Sequence, residues 1–499
     1  MNQSRNLVFV SILAATLLIL LLRTKPSGAG QSTPAQPLVI FCAAGVKPPV
    51  ETVAKDYEKA YGTPVQIQYG GSGTLLSNLR VSGIGDLFIA ADDSYIRLAE
   101  THALIAETIP LARMTLVIAV AKGNPKNIRT FEDLYRVNVA LANPDAAAIG
   151  KVTRDLLKPT GHWTRLENHT RVFKPTVNDV ANDVTLGAVD AGIVWDATIS
   201  QYERLEGIRV EPLSSARQNI SVAVLRSTKQ PVKALHFARY MAAMDRGLQS
   251  FARHGYSPVE GDAWSEHPEV LLFSGGINRL AIEETLRQFE EREGARITRV
   301  YNGCGILVAQ MKAGQNPDAY FACDTSFMAE VQDRFEAPVT IARNDVVILV
   351  QKDNPRSIVQ LSDLGEPGIK LGIANESQSA LGALTTRLLK STGLQEKVMS
   401  NVRVQTPTAD LLVNQMRAGA LDAAIVYQAN ANTVKDLMKV IPIENPLAFA
   451  TQPFAIGKTS SHRFLTERLL LAISSEASRT RFESAGFQWK VAGTRTGAP

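Results

Sequence analysis

Two stretches of this 499-residue chain read as copies of each other. Tyr69-Gly70-Gly71-Ser72-Gly73-Thr74-Leu75 lines up with Tyr301-Asn302-Gly303-Cys304-Gly305-Ile306-Leu307, and Asp86, Ala90 and Asp92 line up with Asp318, Ala322 and Asp324. Further on, Lys122-Gly123-Asn124-Pro125 meets Lys352-Asp353-Asn354-Pro355. The best block pairs Gly187-Ala188-Val189-Asp190-Ala191-Gly192-Ile193-Val194-Trp195 with Gly419-Ala420-Leu421-Asp422-Ala423-Ala424-Ile425-Val426-Tyr427. Phe251 to Tyr256 echoes Phe482 to Phe487. The offset stays near about 230 positions throughout, and a period that long means two whole domains rather than a solenoid of short repeats. The chain is a tandem duplication, with one module at 38–264, a second at 269–490 and a junction at Gly261–Pro268.

Each module alternates strand and helix patterns. Leu38 to Phe41 reads as a buried strand, while Val50, Val53, Ala54, Tyr57 and Tyr61 keep helical spacing. Val65–Tyr69, Asp86–Ala91, Thr115–Ala121 and Ala191–Trp195 read as strands, and Leu75–Val81 as a helix. Val177, Val180, Ala181 and Val184 share one helix face, as do Ala409, Leu412, Val413 and Met416. This alternation predicts an α/β fold with a largely parallel sheet. More than 200 residues per module predicts two lobes with a hinge in each.

The N-terminus bears on the compartment. Arg5 precedes an apolar run from Leu7 to Leu22, followed by Arg23, Lys25 and a small, polar stretch. The run is long for a signal-peptide core and short for a membrane span. Residues 1–30 therefore read as a signal peptide or a membrane anchor, and 31–37 as a linker. Ser27-Gly28-Ala29 offers a cleavage site, whereas Arg23 and Lys25 suit an uncleaved anchor. Either way the body is expected outside the inner membrane, in a periplasmic or extracytoplasmic location, with a tether through this segment left open. The net charge of +5 is spread along the chain, which argues against a nucleic-acid partner. Cys42, Cys304 and Cys323 make neither a disulfide framework nor a zinc site, so neither metal nor cofactor is expected.

Four corners in the first module place strand ends before helices: Ala43–Pro48, Gly70–Thr74, Asn143–Gly150 and Pro175–Asp179. In open α/β sheets ligands gather at such carboxyl ends. Converging helix N-termini supply free amides that hold an anion without Arg or Lys. Thr176 and Asp179 resemble a capping box, so each corner taken singly also reads as a helix cap or a tight turn. Catalytic readings fail on residue type. Thr74 stands where a nucleophile elbow needs glycine, and neither glycine cluster continues into the Gly-Lys-Ser/Thr of a P-loop. Cys304 reads as a small packed residue, and Asp92 and Asp324 as helix caps, so no enzyme is expected.

The phrases Phe41-Cys42-Ala43-Ala44, Gly71-Ser72-Gly73-Thr74-Leu75, Gly85-Asp86-Leu87-Phe88-Ile89-Ala90-Ala91-Asp92 and Asp190-Ala191-Gly192-Ile193-Val194-Trp195 resemble the periplasmic molybdate-binding proteins of ABC transporters. The resemblance runs the length of both modules. It implies a type II solute-binding fold of two lobes, a tetrahedral oxyanion held by hydroxyls and backbone amides, and a permease partner. Carried over by position, the family's first-loop serine falls at Gly45 and Ile277, and its second-loop serine at Ser72 and Cys304, each followed by glycine (Gly73, Gly305). Its third-corner amide falls at Ile149 and Leu381, its fourth at Val177 and Ala409, and its cleft tyrosine at Trp195 and Tyr427. Of those hydroxyls the first module keeps Ser72 and the second Tyr427. The first cleft is therefore expected to be the better oxyanion site. The alternative is a membrane-tethered sensory or scaffolding protein with altered clefts. Which anion is bound, and whether both clefts are active, stay open.

Overall fold

The computed structural model describes residues 36–491. The 1–30 segment read as signal peptide or anchor, and the linker up to residue 35, lie outside the described residues. Among the described residues no helix is long and apolar enough to cross a membrane.

The first module has ten strands: β1 (Leu38–Ala43), β2 (Val65–Gly70), β3 (Leu87–Ala90), β4 (Ile105–Ala121), β5 (Val139–Ala142), β6 (Val172–Lys174), β7 (Ala191–Trp195), β8 (Leu205–Ile208), β9 (Arg217–Leu225) and β10 (Ser257–Pro258). They order as β2-β1-β3-β9-β4-β7-β5-β6, with β8 and β10 also on β4. That path is continuous only through β4. Its residues from Ile105 to Thr115 pair with β9, and those from Leu116 to Val120 pair with β7. One long strand thus passes from the first lobe into the second, and the pairing changes between Thr115 and Leu116. Across this crossing Asp196, just after β7, accepts the Thr115 amide at 3.0 Å and its hydroxyl at 2.7 Å.

The parallel expectation holds only in part. β1 pairs in parallel with β2 and β3, and β5 with β6 and β7. β4 and β9 run antiparallel to their neighbours because they carry the chain between lobes and back. The sequence also hid the first half of β4. Its alternation is broken by Pro110, and the ladder slips there and near Ile105, as proline in a strand requires.

The helices that matter for the site begin at strand ends: α1 (Lys47–Tyr61), α2 (Ser72–Ser82), α3 (Ala148–Leu157) and α4 (Val177–Thr185), with α5 (Pro231–Ala242) on the outer face. Pro48 and Pro49 occupy the first turn of α1, where an amide hydrogen has no partner anyway. Val50, Val53, Ala54 and Tyr57 bury its inner face. β7 is buried at every position, which its uninterrupted apolar run requires between helix layers.

The second module repeats this plan with β11 (Glu269–Gly275), β12 (Arg296–Asn302), β13 (Ala319–Phe321), β14 (Val339–Gln351), β15 (Leu371–Ala374), β16 (Val402–Thr406), β17 (Ala423–Tyr427), β18 (Met438–Pro442), β19 (Phe449–Ile456) and β20 (Gln488–Trp489). The order is β12-β11-β13-β19-β14-β17-β15-β16. β14 crosses between lobes, pairing with β19 up to Asp345 and with β17 from Val346. Its helices are α6 (Arg279–Glu293), α7 (Cys304–Lys312), α8 (Ala380–Ser391), α9 (Ala409–Arg417) and α10 (Arg463–Ile473). Each module has its own apolar core.

The modules meet through their first lobes, where α5 packs against α6. Arg468 on α10 pairs with Glu293 on α6 at 2.9 Å and with Glu107 on β4 at 3.1 Å, and all three are largely or fully buried. Burial alone would raise Glu293, but the Arg468 guanidinium, with Arg292 and Arg239, outweighs it and holds the carboxyl below its ordinary range. Asp262 in the junction accepts the amides of Phe464 and Leu465 at 3.0 and 2.9 Å, capping the first turn of α10. Trp264 donates its indole proton to Tyr61 at 2.9 Å and packs edge-on against Tyr61, Tyr240 and His236.

Candidate functional site

The four corners of the first module converge between its lobes. In this closed arrangement they leave a small cavity of about 10 Å³, lined by Gly45, Ser72, Ile149, Val177 and Trp195 together with small neighbours such as Ala43, Ala91 and Thr176. No ionisable side chain lines it. The two nearby lysines are engaged elsewhere. Lys47 lies 3.5 Å from Glu51 and over the Tyr69 ring, and Lys151 lies 2.7 Å from Asp155.

Ser72 is the first residue of α2 and is buried. Its Oγ accepts the Ala91 amide at 3.2 Å, which leaves the hydroxyl proton to donate into the cavity. Ile149 and Val177 stand in the first turns of α3 and α4, whose amides have no intrahelical partner. Corner four is the expected capping box: Thr176 and Asp179 exchange side chain and backbone bonds, which fixes the direction of the Val177 amide. Gly150 lets α3 run against its own strand, since a Cβ there would sit 2.3 Å from the Ala142 carbonyl oxygen.

Gly45 and Trp195 share one space. A Cβ on Gly45 would lie 3.0 Å from Val177 Cγ1 and 3.3 Å from Trp195 Cδ1. The indole fills the volume that a side chain at position 45 would take. The Gly45 carbonyl accepts the hydroxyl of Tyr256, a buried contact that orients the first corner. The sequence reading missed Tyr256. The only available signal was its place in the Phe251–Tyr256 repeat, where the second module has Phe487.

Gly73 is the one first-module candidate away from the cavity. Its amide donates to the Ala146 carbonyl of the other lobe at 2.9 Å, and a Cβ on Gly73 would lie 2.5 Å from the Asp145 carbonyl oxygen. It is therefore a residue of lobe contact, and it shows the cleft closed. Gly305 does the same in the second module, donating to Gln378 at 3.0 Å.

The second cleft is built from the same corners with different chemistry. Ile277, Cys304, Leu381, Ala409 and Tyr427 are all buried. Cys304 Sγ takes the place of the serine hydroxyl and accepts the Cys323 amide at 3.1 Å. The Tyr427 hydroxyl is buried without a hydrogen-bond partner among the described residues, and burial pushes its pKa far up. A buried polar atom left unpaired points to a missing partner. Asp92 and Asp324 cap helices, as expected, by accepting the amides of Ser94 and Ser326. Burial pushes the Asp92 carboxyl up. Among the described residues no group of His, Cys, Asp and Glu side chains is arranged to hold a metal ion.

The sequence matches, over residues 38–257 and again over 270–488, the family described as bacterial extracellular solute-binding protein. The chain belongs to that family. Its relatives span about half of this chain, the length of a single module. The molybdate-binding protein ModA of Mycobacterium tuberculosis is 29% identical over 223 residues, 44% of this chain and 83% of that protein. A binding protein of Haemophilus influenzae is 25% identical over 231 residues, 46% of this chain and 94% of that protein. Among solved structures, the substrate-binding domain of a molybdenum ABC transporter from Clostridium difficile is 21% identical, covering 45% of this chain and 99% of its own, with a TM-score of 0.36. The periplasmic molybdate-binding protein of Azotobacter vinelandii is 17% identical, with 44% and 98% covered and a TM-score of 0.38. The relatives named are binding proteins, and the family is described as extracellular.

Proposed function

We propose that the chain is an extracytoplasmic receptor that captures a tetrahedral oxyanion of the molybdate class in its first cleft and hands it to an ABC-type importer. The observation that carries this reading is the cavity between the lobes of the first module. It offers the Ser72 hydroxyl, first-turn amides at Ile149 and Val177 and the Trp195 indole, with no charged side chain on its walls. Neutral donors suit a buried oxyanion: helix-terminal amides carry partial positive charge and replace its hydration shell. Walls without carboxylates impose no repulsion, and walls without lysine or arginine leave the site selective by geometry. The ModA relative supports the molybdate class.

A thermal-shift screen of the purified chain against molybdate, tungstate, sulfate, phosphate and small organic anions tests the reading. Stabilisation by a tetrahedral oxyanion, unchanged when a chelator is present, is the expected result. Stabilisation only by neutral sugars or peptides, or loss of the shift on chelation, contradicts it. A second reading, a membrane-tethered sensory or scaffolding protein, is favoured by the second cleft, where Ile277 and Cys304 replace the positions of two hydroxyls. Binding of no oxyanion in either cleft would support it.

A further inference from the structure

Two of the three cysteines meet at one point of the second cleft. Cys304 opens α7 and Cys323 follows β13, and both are buried. A Cβ at Gly275 would lie 1.9 Å from Cys323 Sγ and 3.1 Å from Cys304 Sγ. Both sulfurs therefore crowd the end of β11, and the missing side chain of Gly275 makes room for them. The first module has Ala43, Ser72 and Ala91 at these three places. It keeps the backbone-to-side-chain bond, from the Ala91 amide to Ser72, but has no second heteroatom beside it. Three replacements at one point of the fold convert a hydroxyl site into a paired-thiol site.

We propose that Cys304 and Cys323 form a reversible disulfide, making the second cleft a site of thiol–disulfide exchange. Two sulfurs beside one backbone position, with the Cys323 amide bonded to Cys304 Sγ, meet the first geometric demand of a disulfide, which forms only between close side chains. Cys304 is the attacking group. It sits at a helix N-terminus and accepts the Cys323 amide at 3.1 Å. Burial alone would raise its thiol, but the bonds from Cys323 outweigh that and hold it below the ordinary range. Its thiolate attacks one sulfur of an external disulfide, such as glutathione disulfide, and releases the first glutathione. The Cys323 thiolate then attacks the Cys304 sulfur of the mixed disulfide, closes the Cys304–Cys323 bond and releases the second. The two cysteines are oxidised, one glutathione disulfide is reduced to two thiols, and the protons of the cysteines end on them.

Both cysteines are buried with the lobes in contact, so exchange takes place while the lobes are apart. Both cysteines lie in the first lobe of their module, so the bond leaves the hinge free. It removes the Cys304 S–H as a donor to any ligand of that cleft. The bond itself does not depend on which ligand the clefts take.

The test is to equilibrate the full chain in glutathione buffers from reducing to oxidising. The thiols are then quenched with acid, alkylated under denaturing conditions and mapped by mass spectrometry. Three alkylated cysteines should become one, Cys42, together with a linked peptide containing Cys304 and Cys323. In Cys323→Ser, Cys304 should stop at the glutathione adduct. Three free thiols throughout, or a linkage involving Cys42, would overturn the proposal. If Cys323→Ser does not fold, the peptide map of the unaltered chain decides alone.

Discussion

At the residue scale the two clefts differ by a few exchanged atoms. Ser72 and Cys304 accept the same kind of amide bond, yet a hydroxyl is a good donor and a thiol a weak one. Ser72→Ala should weaken oxyanion binding ten- to a hundredfold, since losing a hydrogen bond to a charged group costs about 1.5–3 kcal/mol. Calorimetric titration reads this directly. The volume exchange at Gly45 with Trp195, against Ile277 with Tyr427, was visible in the sequence only as two unrelated departures from the resemblance. Contact geometry shows that they belong together: the indole takes the space beside Gly45. His236 gives a second residue-scale prediction. Burial, then the charge of Arg239, lowers its pKa from 6.5 to about 4. The unfolded chain therefore binds more protons between these values, so this contribution is complete above pH 6.5 and is lost as pH falls toward 4. Partial exposure keeps it to about 1–2 kcal/mol. Acid-range melting curves of His236→Phe should fall less steeply than those of the unaltered chain.

At the element scale the site is a set of helix starts held against strand ends. Ser72–Ser82, Ala148–Leu157 and Val177–Thr185 each begin where the sequence placed a corner, because glycine, threonine and aspartate mark such points with local chemistry. What the sequence could not show was which corner touches which. Gly73 read as a ligand residue because it follows Ser72. In the fold it meets the opposite lobe, since only a residue without a side chain fits beside the Asp145 carbonyl. Gly73→Ala should therefore leave the module folded, with stability changed by less than about 1 kcal/mol. It should hold the lobes apart and weaken binding at least tenfold. Small-angle scattering with and without ligand checks this: a variant that still closes would mean the carbonyl can move aside. The strand shared between lobes was half hidden for a related reason. Pro110 and the slips in its ladder erase the alternation by which strands are recognised.

At the scale of the whole molecule, the repeat gave two modules directly, because the same blocks recur in one order. Their mode of contact was not legible. Glu107, Glu293 and Arg468 lie far apart in sequence, and no local pattern marks them as partners. Removing one partner of a buried ionic cluster typically costs about 3–5 kcal/mol, because the remaining charges keep their burial and lose their compensation. Arg468→Met should show a loss of that size. It should also split thermal unfolding into two transitions, because the cluster ties the first module to the second. A single transition at the unaltered temperature would mean that the modules are held by other contacts.

The central claim is that the first cleft binds an oxyanion through neutral donors. Calorimetric titration of the full chain with molybdate, in chelator, beside Ser72→Ala and Cys304→Ala, tests it most directly. The expected result is a tight site in the unaltered chain and in Cys304→Ala, weakened at least tenfold in Ser72→Ala. Binding that survives Ser72→Ala unchanged but is lost in Cys304→Ala, or that requires a metal ion, would contradict it.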